Sequence, residues 1–257
     1  MGDDETTDPE VGTAGGFGER TGFAEPGEVP PEGFRQSRFI PPPGSTTVLL
    51  VRHGESEPAH PDRPFPLKDG HGDPALAVQG RTQAERVGQR LAAEHAAGEH
   101  IDAVYVTTLR RTHETAAPLV SRIGIDPVEI ADLREVHLGE WEGGLWRVKQ
   151  AEGDPVFADV IVNERWDRIP GAEPLEDFDA RLKRGIATIA ERHVDQRVVA
   201  VVHGGVIGQL LSAASGSTGF AFTAADNGSI SELIVFPDGA WRVRRFNDIA
   251  HLTGTFD

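Results

Sequence analysis

Two short motifs in the sequence place a histidine next to glycine, directly after an apolar run. Arg52-His53-Gly54 follows the run 47–51, and His203-Gly204-Gly205 follows the run 197–202. A glycine beside a histidine allows a tight turn on which a ligand can approach the backbone closely. One such histidine is often only a polar group at the rim of a sheet. Two of them, each at the end of a strand, predict a shared pocket.

The chemistry of this predicted pocket is cationic. The guanidinium of Arg52 and two imidazoles are joined by an arginine at the start of a later helix, either Arg111 or its neighbour Arg110. Consecutive helical residues point in different directions, so one of the two faces the pocket and the other is a solvated charge. Guanidinium groups match phosphate oxygens bidentately, and imidazolium adds a charge-assisted hydrogen bond. The expected ligand is a phosphoryl group.

These side chains need strands and helices that bring them to one edge of a sheet. Short β-branched runs predict strands, and apolar residues at spacings of three and four predict helices between them. The predicted strands are 47–51, 103–106, 197–202, 229–236 and 241–246, and the predicted helices are 80–95, 109–123, 175–189 and 204–211. This alternation predicts a three-layer α/β/α fold with a mostly parallel central sheet, to which a closing hairpin at Pro237-Asp238-Gly239 adds antiparallel strands.

Composition divides the chain into a tail and one domain. Residues 1–45 are rich in glycine, proline and glutamate and contain few aliphatic residues, which predicts a disordered tail. Residues 46–257 are expected to form one domain, because a chain of 257 residues with 38% apolar residues can bury a full core.

The totals exclude several classes of function. Aspartate and glutamate outnumber lysine and arginine by 41 to 25, so we expect no binding to nucleic acid or to anionic lipid surfaces. The chain contains no cysteine, which excludes cysteine nucleophiles and thiolate metal sites. No secretory signal or membrane-length apolar run is present in the sequence, which predicts a soluble, cytoplasmic protein. No close metal-ligand spacing occurs either, so we expect no metal and no cofactor.

Five segments, in order along the chain, resemble motifs of the histidine phosphatase superfamily, in its phosphoglycerate mutase-like branch. They are Leu50–Ser56, Leu76–Ala84, Thr107–Thr112, the acidic stretch Leu133–Gly143, and Val201–Gly205. The resemblance covers roughly residues 46–250, and several ordered motifs are far more specific than one.

The resemblance implies a role for each pocket residue and a phosphoglycerate mutase-like fold. His53 would be the nucleophile that forms a phosphohistidine, and Arg52, Arg111 and His203 would bind the phosphoryl oxygens, with His203 also part of the catalytic set. Glu135 would protonate the leaving alcohol, after burial or nearby carboxylates raise its pKa. Glu140 and Glu142 lie in the same acidic stretch, and either is an alternative or an additional contributor.

Two positions depart from the family pattern. Ala59 stands where many relatives carry an asparagine that touches phosphate, and His60 or Ser56 is a candidate to replace that contact. Pro174 replaces a serine that commonly ends the turn Pro170–Pro174, and proline there is compatible with a helix start.

Substrate selection is expected to come from two segments outside the shared motifs, as lids or as ordinary surface loops. The charged and aromatic residues in them are Arg63, Lys68 and His71 in the segment 61–72, and Arg147, Lys149, Arg165 and Trp166 in the segment 146–168.

The sequence favours a metal-independent phosphatase that hydrolyses a small phosphate monoester, and three alternatives remain. A mutase-type phosphotransferase must enclose its substrate and exclude water, for which the region Trp146–Pro170 is short. A phospho-ligand binding module would need the cationic pocket but no proton donor, and a metal hydrolase would need closer ligand spacing. Apolar strands near the closing hairpin are also compatible with a homodimer.

Overall fold

The computed structural model describes residues 36 and 38–253, and the chain divides into two units, Met1–Pro42 and Pro43–Asp257. In the first unit the described residues, 36 and 38–42, contain neither helix nor strand. Most of the tail predicted over residues 1–45 lies outside the described residues.

The second unit contains eight strands within the described residues. They are β1 (Thr46–Arg52), β2 (Leu67–Lys68), β3 (His71–Gly72), β4 (Ala103–Val106), β5 (Pro127–Glu129), β6 (Arg197–Val202), β7 (Ile230–Val235) and β8 (Trp241–Asp248). Six strands form the central sheet in the order β5-β4-β6-β1-β7-β8. The first four are parallel, and β7 and β8 add antiparallel pairs. β2 and β3 pair separately as a small hairpin.

Six α-helices occur among the described residues of the second unit. They are α1 (Val78–Ala96), α2 (Arg110–Ile123), α3 (Leu145–Glu152), α4 (Pro155–Asn163), α5 (Leu175–Arg192) and α6 (Gly204–Ser215). Alternate residues of β1 point to opposite faces: Leu49 and Val51 pack with α1 and α2, whereas Val48 and Leu50 pack with α5 and α6. Both faces are therefore covered by helices. The predicted three-layer α/β/α fold with a mostly parallel sheet is confirmed.

The strongest sequence patterns predict the bounds of their strands closely, whereas several short elements were not predicted as strands or helices. β4 and β6 have the predicted bounds, and the hairpin turn closes with the Phe236 amide donating to the Ala240 carbonyl at 2.8 Å. The hairpin β2–β3 and the helices α3 and α4 form in segments for which the sequence predicted only lids or loops. Helix α4 has a readable start, because Asp154 accepts from the Val156 amide at 2.9 Å and a proline follows it.

Candidate active site

The two histidines meet at the carboxyl ends of neighbouring parallel strands. β1 pairs with β6 so that Arg52 lies opposite Val202, and the residue that follows each strand is a histidine. The ring centroids of His53 and His203 are 5.2 Å apart, with an interplanar angle of 63°. The structure therefore brings the two motifs together at the carboxyl ends of parallel strands, where α/β sheets bind their ligands.

Backbone contacts hold the turn that carries His53. A Cβ atom on Gly54 would lie 2.3 Å from the carbonyl oxygen of Gly80, so only glycine fits against the start of α1. The Gly54 amide donates to Thr115 Oγ1 at 3.0 Å, and Asn227 Nδ2 donates to the His53 carbonyl at 2.9 Å. Thr115 and Asn227 were not predicted, because no local pattern marks a polar side chain that serves a distant turn.

The ring of His53 is oriented by a hydrogen bond at each nitrogen. Its Nδ1 lies 2.7 Å from the Gly54 carbonyl oxygen, which can only accept, so Nδ1 carries the proton and Nε2 keeps a lone pair. Arg111 Nε donates to this Nε2 at 3.2 Å. Burial lowers the pKa of His53 well below 6.5, and the charges of Arg111 and Arg52 lower it further. The imidazole is therefore neutral near pH 7.

Arg111, and not Arg110, enters the pocket. Arg111 is buried, and its Nη1 donates to the Gly72 carbonyl of β3 at 2.8 Å. Burial lowers its pKa to about 10, so it keeps its charge at pH 7. Arg110 lies at the surface, 3.7 Å from Glu114.

Arg52 is the second guanidinium of the pocket. It donates from Nη1 to the Ala225 carbonyl, while its Nε is buried without a hydrogen-bond partner. Burial lowers its pKa and the Glu135 carboxylate opposes this shift. A Cβ atom on Gly204 would lie 3.3 Å from Arg52 Nε, so the glycine leaves room for the guanidinium against α6.

His203 is fully buried beside these groups. Its Nε2 is hydrogen-bonded to Thr107 Oγ1 at 3.0 Å, and its Nδ1 has no hydrogen-bond partner. Burial, followed by Arg111 and His53, lowers the pKa of His203 well below 6.5. This corrects the expectation of an imidazolium in the pocket. The positive charge comes from the guanidinium groups, because burial keeps both imidazoles neutral.

Glu135 completes the set of predicted site residues. Its Oε2 accepts from the Gly205 amide at 3.1 Å and its Oε1 from the Val136 amide at 3.0 Å. Burial raises the pKa of Glu135, against the lowering effects of these amides and of Arg111 and Arg52. A Cβ atom on Gly205 would lie 2.5 Å from Oε1. The second glycine of the late motif therefore provides the space that Glu135 occupies.

The other two carboxylates of the acidic stretch take different positions. Glu140 is exposed. Glu142 accepts from the Leu138 amide at 2.9 Å and from the Gly72 amide at 2.7 Å. Glu142 thus joins the Glu135 segment to β3, whose Gly72 carbonyl holds Arg111. The sequence left open whether burial or neighbouring carboxylates would raise the pKa of Glu135. Burial is the largest cause of the raised pKa.

The turn before α5 supports the segment that carries Glu135. Arg181 Nη2 donates to the Glu135 carbonyl at 2.8 Å, and its Nε forms an ion pair with Glu173 at 2.7 Å. Gly139 packs so tightly against this turn that a Cβ atom on it would lie 2.3 Å from the Pro170 carbonyl oxygen. α5 begins at Leu175, directly after Pro174, so the proline in place of serine is accommodated as the residue before the helix.

The model of the histidine phosphatase superfamily (branch 1) matches residues 48–249. The chain belongs to the histidine phosphatase superfamily. It is 30% identical over 210 residues to phosphoglycerate mutase-like protein 4 of Arabidopsis thaliana, which covers 81% of this chain and 87% of that protein. It is 29% identical over 215 residues to a metal-independent phosphoserine phosphatase of the same plant, covering 81% and 84%.

Solved structures of the superfamily have the same fold. A mycobacterial glucosyl-3-phosphoglycerate phosphatase aligns with a TM-score of 0.63 and 25% identity, covering 79% of this chain and 99% of that one. A phosphoglycerate mutase from Bacillus anthracis aligns with a TM-score of 0.65 and 23% identity, covering 82% and 96%. The predicted phosphoglycerate mutase-like fold is confirmed.

In this superfamily member four of the five predicted site residues, Arg52, His53, Arg111 and Glu135, line a cavity of about 550 Å³, whereas the fully buried His203 does not. We define the cap as the hairpin β2–β3 together with α3 and α4, of which β3, α3 and α4 line the same cavity. Of the residues predicted to select substrate, His71, Arg147 and Trp166 line the cavity. The others lie away from it: Arg63 and Lys68 are exposed, Lys149 pairs with Glu152, and Arg165 pairs with Asp167 and Glu176.

An aromatic stack fixes the cap against the domain. The ring of Trp146 lies 4.8 Å from that of Phe157 and 5.2 Å from that of Trp166, and Trp166 lies 4.7 Å from Phe220. Phe157 and Ile161 of α4 line the cavity and were not predicted. The apolar residues Phe157, Val160 and Ile161, at spacings of three and four, were the available signal for a helix with one face on the cavity.

Residues 36 and 38–253 contain no group of three or more histidine, aspartate or glutamate side chains placed to hold a metal ion. Among the same residues, no helix combines the length and the apolar character needed to cross a membrane.

Proposed function

We propose that this protein is a phosphatase that hydrolyses small phosphate monoesters through a phosphohistidine on His53. The observation that carries this proposal is the state of the His53 ring. It is neutral, its Nδ1–H is held by the Gly54 carbonyl, and its Nε2 lone pair lies at the cavity among two guanidiniums. A buried neutral imidazole with a fixed tautomer is a nucleophile that needs no general base, once its lone pair is released from the hydrogen bond with Arg111.

In the first step, Nε2 of His53 attacks phosphorus and the bond between phosphorus and the ester oxygen breaks. Glu135 gives its proton to the departing alkoxide, which leaves as the alcohol. The raised pKa of Glu135 keeps this proton available nearer to neutral pH than for an ordinary carboxyl group. In the second step, Glu135 takes a proton from water, whose oxygen attacks the phosphohistidine, and His53 and inorganic phosphate are released.

The charge that develops on the phosphoryl oxygens is matched by Arg52 and Arg111, with His203 as a neutral hydrogen-bonding partner. A phosphoryl oxygen that accepts the Nε–H of Arg111 also releases the Nε2 lone pair of His53, because the two atoms now share that hydrogen bond at 3.2 Å. Fixed donors of this kind stabilise transferred phosphoryl groups without a metal ion. Relatives named phosphatases support the hydrolytic direction.

The test is hydrolysis of 4-nitrophenyl phosphate in excess EDTA, with the native protein, His53→Ala and the exposed-surface control His60→Ala. We expect chelator-resistant activity in the native protein and in the control, and its loss in His53→Ala. Activity that survives in His53→Ala would overturn the mechanism. A native protein that turns over no simple ester, but transfers phosphate between alcohols, would favour the mutase-type alternative.

A further inference from the structure

Arg147 is a cavity residue to which the proposed mechanism gives no role. It lies on α3, which follows the left-handed turn at Gly144, and it lines the same cavity as His53 and Arg111. Its positive charge lowers the pKa of Arg52, His53 and Arg111, so its field reaches the predicted phosphoryl site. Arg147 is therefore electrostatically part of the site although it belongs to the cap.

The guanidinium of Arg147 is oriented by neutral acceptors. Its Nη2 donates to Ser56 Oγ at 2.6 Å and its Nη1 to the Glu57 carbonyl at 2.9 Å, while the Phe65 ring lies 5.7 Å from its central carbon. Among the described residues, no carboxylate forms an ion pair with Arg147 within 4.0 Å; burial lowers the pKa of Arg147, and the more distant charge of Glu55 opposes this shift. A guanidinium fixed at a cavity without a carboxylate partner is suited to bind an anionic ligand.

Ser56 gives this arrangement its rigidity. It is buried, lines the cavity, and its backbone pairs with Leu76, so the hydroxyl that accepts from Arg147 has a fixed position. Ser56 follows His53 by three residues along the chain. The position of the Arg147 guanidinium is thereby tied to the loop that carries the nucleophile, and not only to the cap.

Ala59 and His60 leave this region without another donor. The methyl group of Ala59 packs against Gly144, because a Cβ atom added to Gly144 would lie 3.0 Å from it. A methyl group donates no hydrogen bond. His60 is exposed and does not line the cavity. His60 and Ser56 were the two candidates to replace the phosphate-contacting asparagine that many relatives carry at the position of Ala59. Ser56 is the one that lines the cavity, and its hydroxyl accepts a hydrogen bond from Arg147.

We propose that Arg147, oriented by Ser56, is a substrate-binding residue that contacts an anionic oxygen of the substrate. That oxygen belongs either to the transferred phosphoryl group or to a second anionic group on the alcohol, such as a carboxylate. The inference rests on the proposed function for the identity of the ligand. It adds a third guanidinium to the site and makes the cap a determinant of which phosphate esters are bound.

The test compares Arg147→Met and Arg147→Lys with Lys149→Met. Lys149 is a matched control because it lies on the same helix, carries the same charge, and forms surface ion pairs with Glu152 and Asp154 away from the cavity. Two readouts are needed: the Kd for inorganic phosphate from calorimetry, and kcat and KM for 4-nitrophenyl phosphate and O-phosphoserine. Thermal unfolding of each variant checks that it is folded.

We expect Arg147→Met to weaken binding by about tenfold or more and to act on KM more than on kcat, with partial recovery in Arg147→Lys. A weaker Kd for inorganic phosphate assigns the contact to the phosphoryl group. An effect confined to O-phosphoserine assigns it to the carboxylate. Ser56→Ala should give a smaller change of the same kind.

Equal constants for Arg147→Met and Lys149→Met in both readouts would overturn the inference. The phosphate-binding readout needs no turnover. It therefore separates a failure of this inference from a failure of the proposed phosphatase activity, which would appear as absent hydrolysis in the native protein.

Discussion

The end of the sheet and the cap hold their cavity residues in different ways. At the sheet end, backbone atoms and glycine contacts define the positions, as for Glu135, which accepts from two amides and fills the space beside Gly205. In the cap, side chains hold other side chains, as in the stack of Trp146, Phe157 and Trp166. The sheet end has little tolerance for change, whereas side chains of the cap can be exchanged while the stack is kept.

The difference indicates where chemistry and selectivity are encoded. Groups that transfer a proton or a phosphoryl group need positions fixed to fractions of an ångström, which a sheet edge provides. Groups that select the alcohol part of the substrate need only present a surface that fits it in shape and charge. Two contacts connect the regions through the same residue: the Gly72 carbonyl accepts from Arg111, and the Gly72 amide donates to Glu142.

Glu135→Gln should have the largest effect at the sheet end, and its size should depend on the leaving group. An alkoxide needs the proton that Glu135 supplies, so we expect kcat for an alkyl phosphate to fall by about 10²- to 10⁴-fold. 4-Nitrophenolate leaves without a proton, so its release should be nearly unaffected. Single-turnover kinetics on both esters would measure the difference.

The pH profile gives a second readout of Glu135. Because its pKa is raised, the acid stays protonated to a higher pH than usual, and activity should fall as pH rises through this raised value. The neutral nucleophile is lost only when pH falls through the lowered pKa of His53. Glu135→Gln should remove the alkaline limb, and the exposed control Glu140→Gln should keep it. An alkaline limb unchanged in Glu135→Gln would exclude Glu135 as the acid.

Gly205→Ala should have an intermediate effect, because the added methyl group competes with Glu135 Oε1 for the same space. We expect kcat to fall by about 10- to 100-fold through displacement of the carboxylate. Gly88→Ala is the control, since its Cβ would crowd Pro118 between α1 and α2 at 2.8 Å, away from the cavity. Both should lower the free energy of unfolding by about 1–3 kcal/mol. Equal kcat losses in the two variants would show that the effect is only structural.

Ile161→Ser should have the smallest effect and should act on KM. Ile161 lines the cavity, whereas its neighbour Val162 is 81% exposed and does not. Loss of apolar contact should raise KM about three- to tenfold for esters of bulky apolar alcohols, with kcat retained. Val162→Ser is the matched control on the same helix. A fall in kcat with unchanged KM would contradict the assignment of α4 to selectivity.

The sequence predicted the sheet-end region better than the cap for a physical reason. Buried parallel strands are continuous runs of β-branched residues, and ligand groups gather at their carboxyl ends, so the proximity of His53 and His203 could be predicted. Helix geometry left the choice between Arg110 and Arg111 open, and the resemblance to the family motif indicated Arg111. The neutral state of His53 was predicted for a nucleophile, but that of His203 was missed, because desolvation depends on how completely the fold encloses each ring.

The hairpin part of the cap was difficult to predict because its contacts have no periodic signature. The hairpin β2–β3 contains only two residues in each strand, and its contribution to the site is a backbone carbonyl at Gly72. A carbonyl is common to every residue, so no residue type marks it. Arg147 was named as one of several charged candidates, and only the structure separates it from Lys149 and Arg165, which pair at the surface.

The most direct test of the central claim is to trap the phosphoenzyme. Glu135→Gln should accumulate it with 4-nitrophenyl phosphate, because the first step needs no acid while the second step lacks its base. After rapid quenching in alkali, peptide mass spectrometry should locate an alkali-stable, acid-labile phosphoryl group on His53. Hydrolysis by the native protein with no phosphohistidine trapped in Glu135→Gln, or a phosphoryl group that persists in the His53→Asn background, would contradict the account.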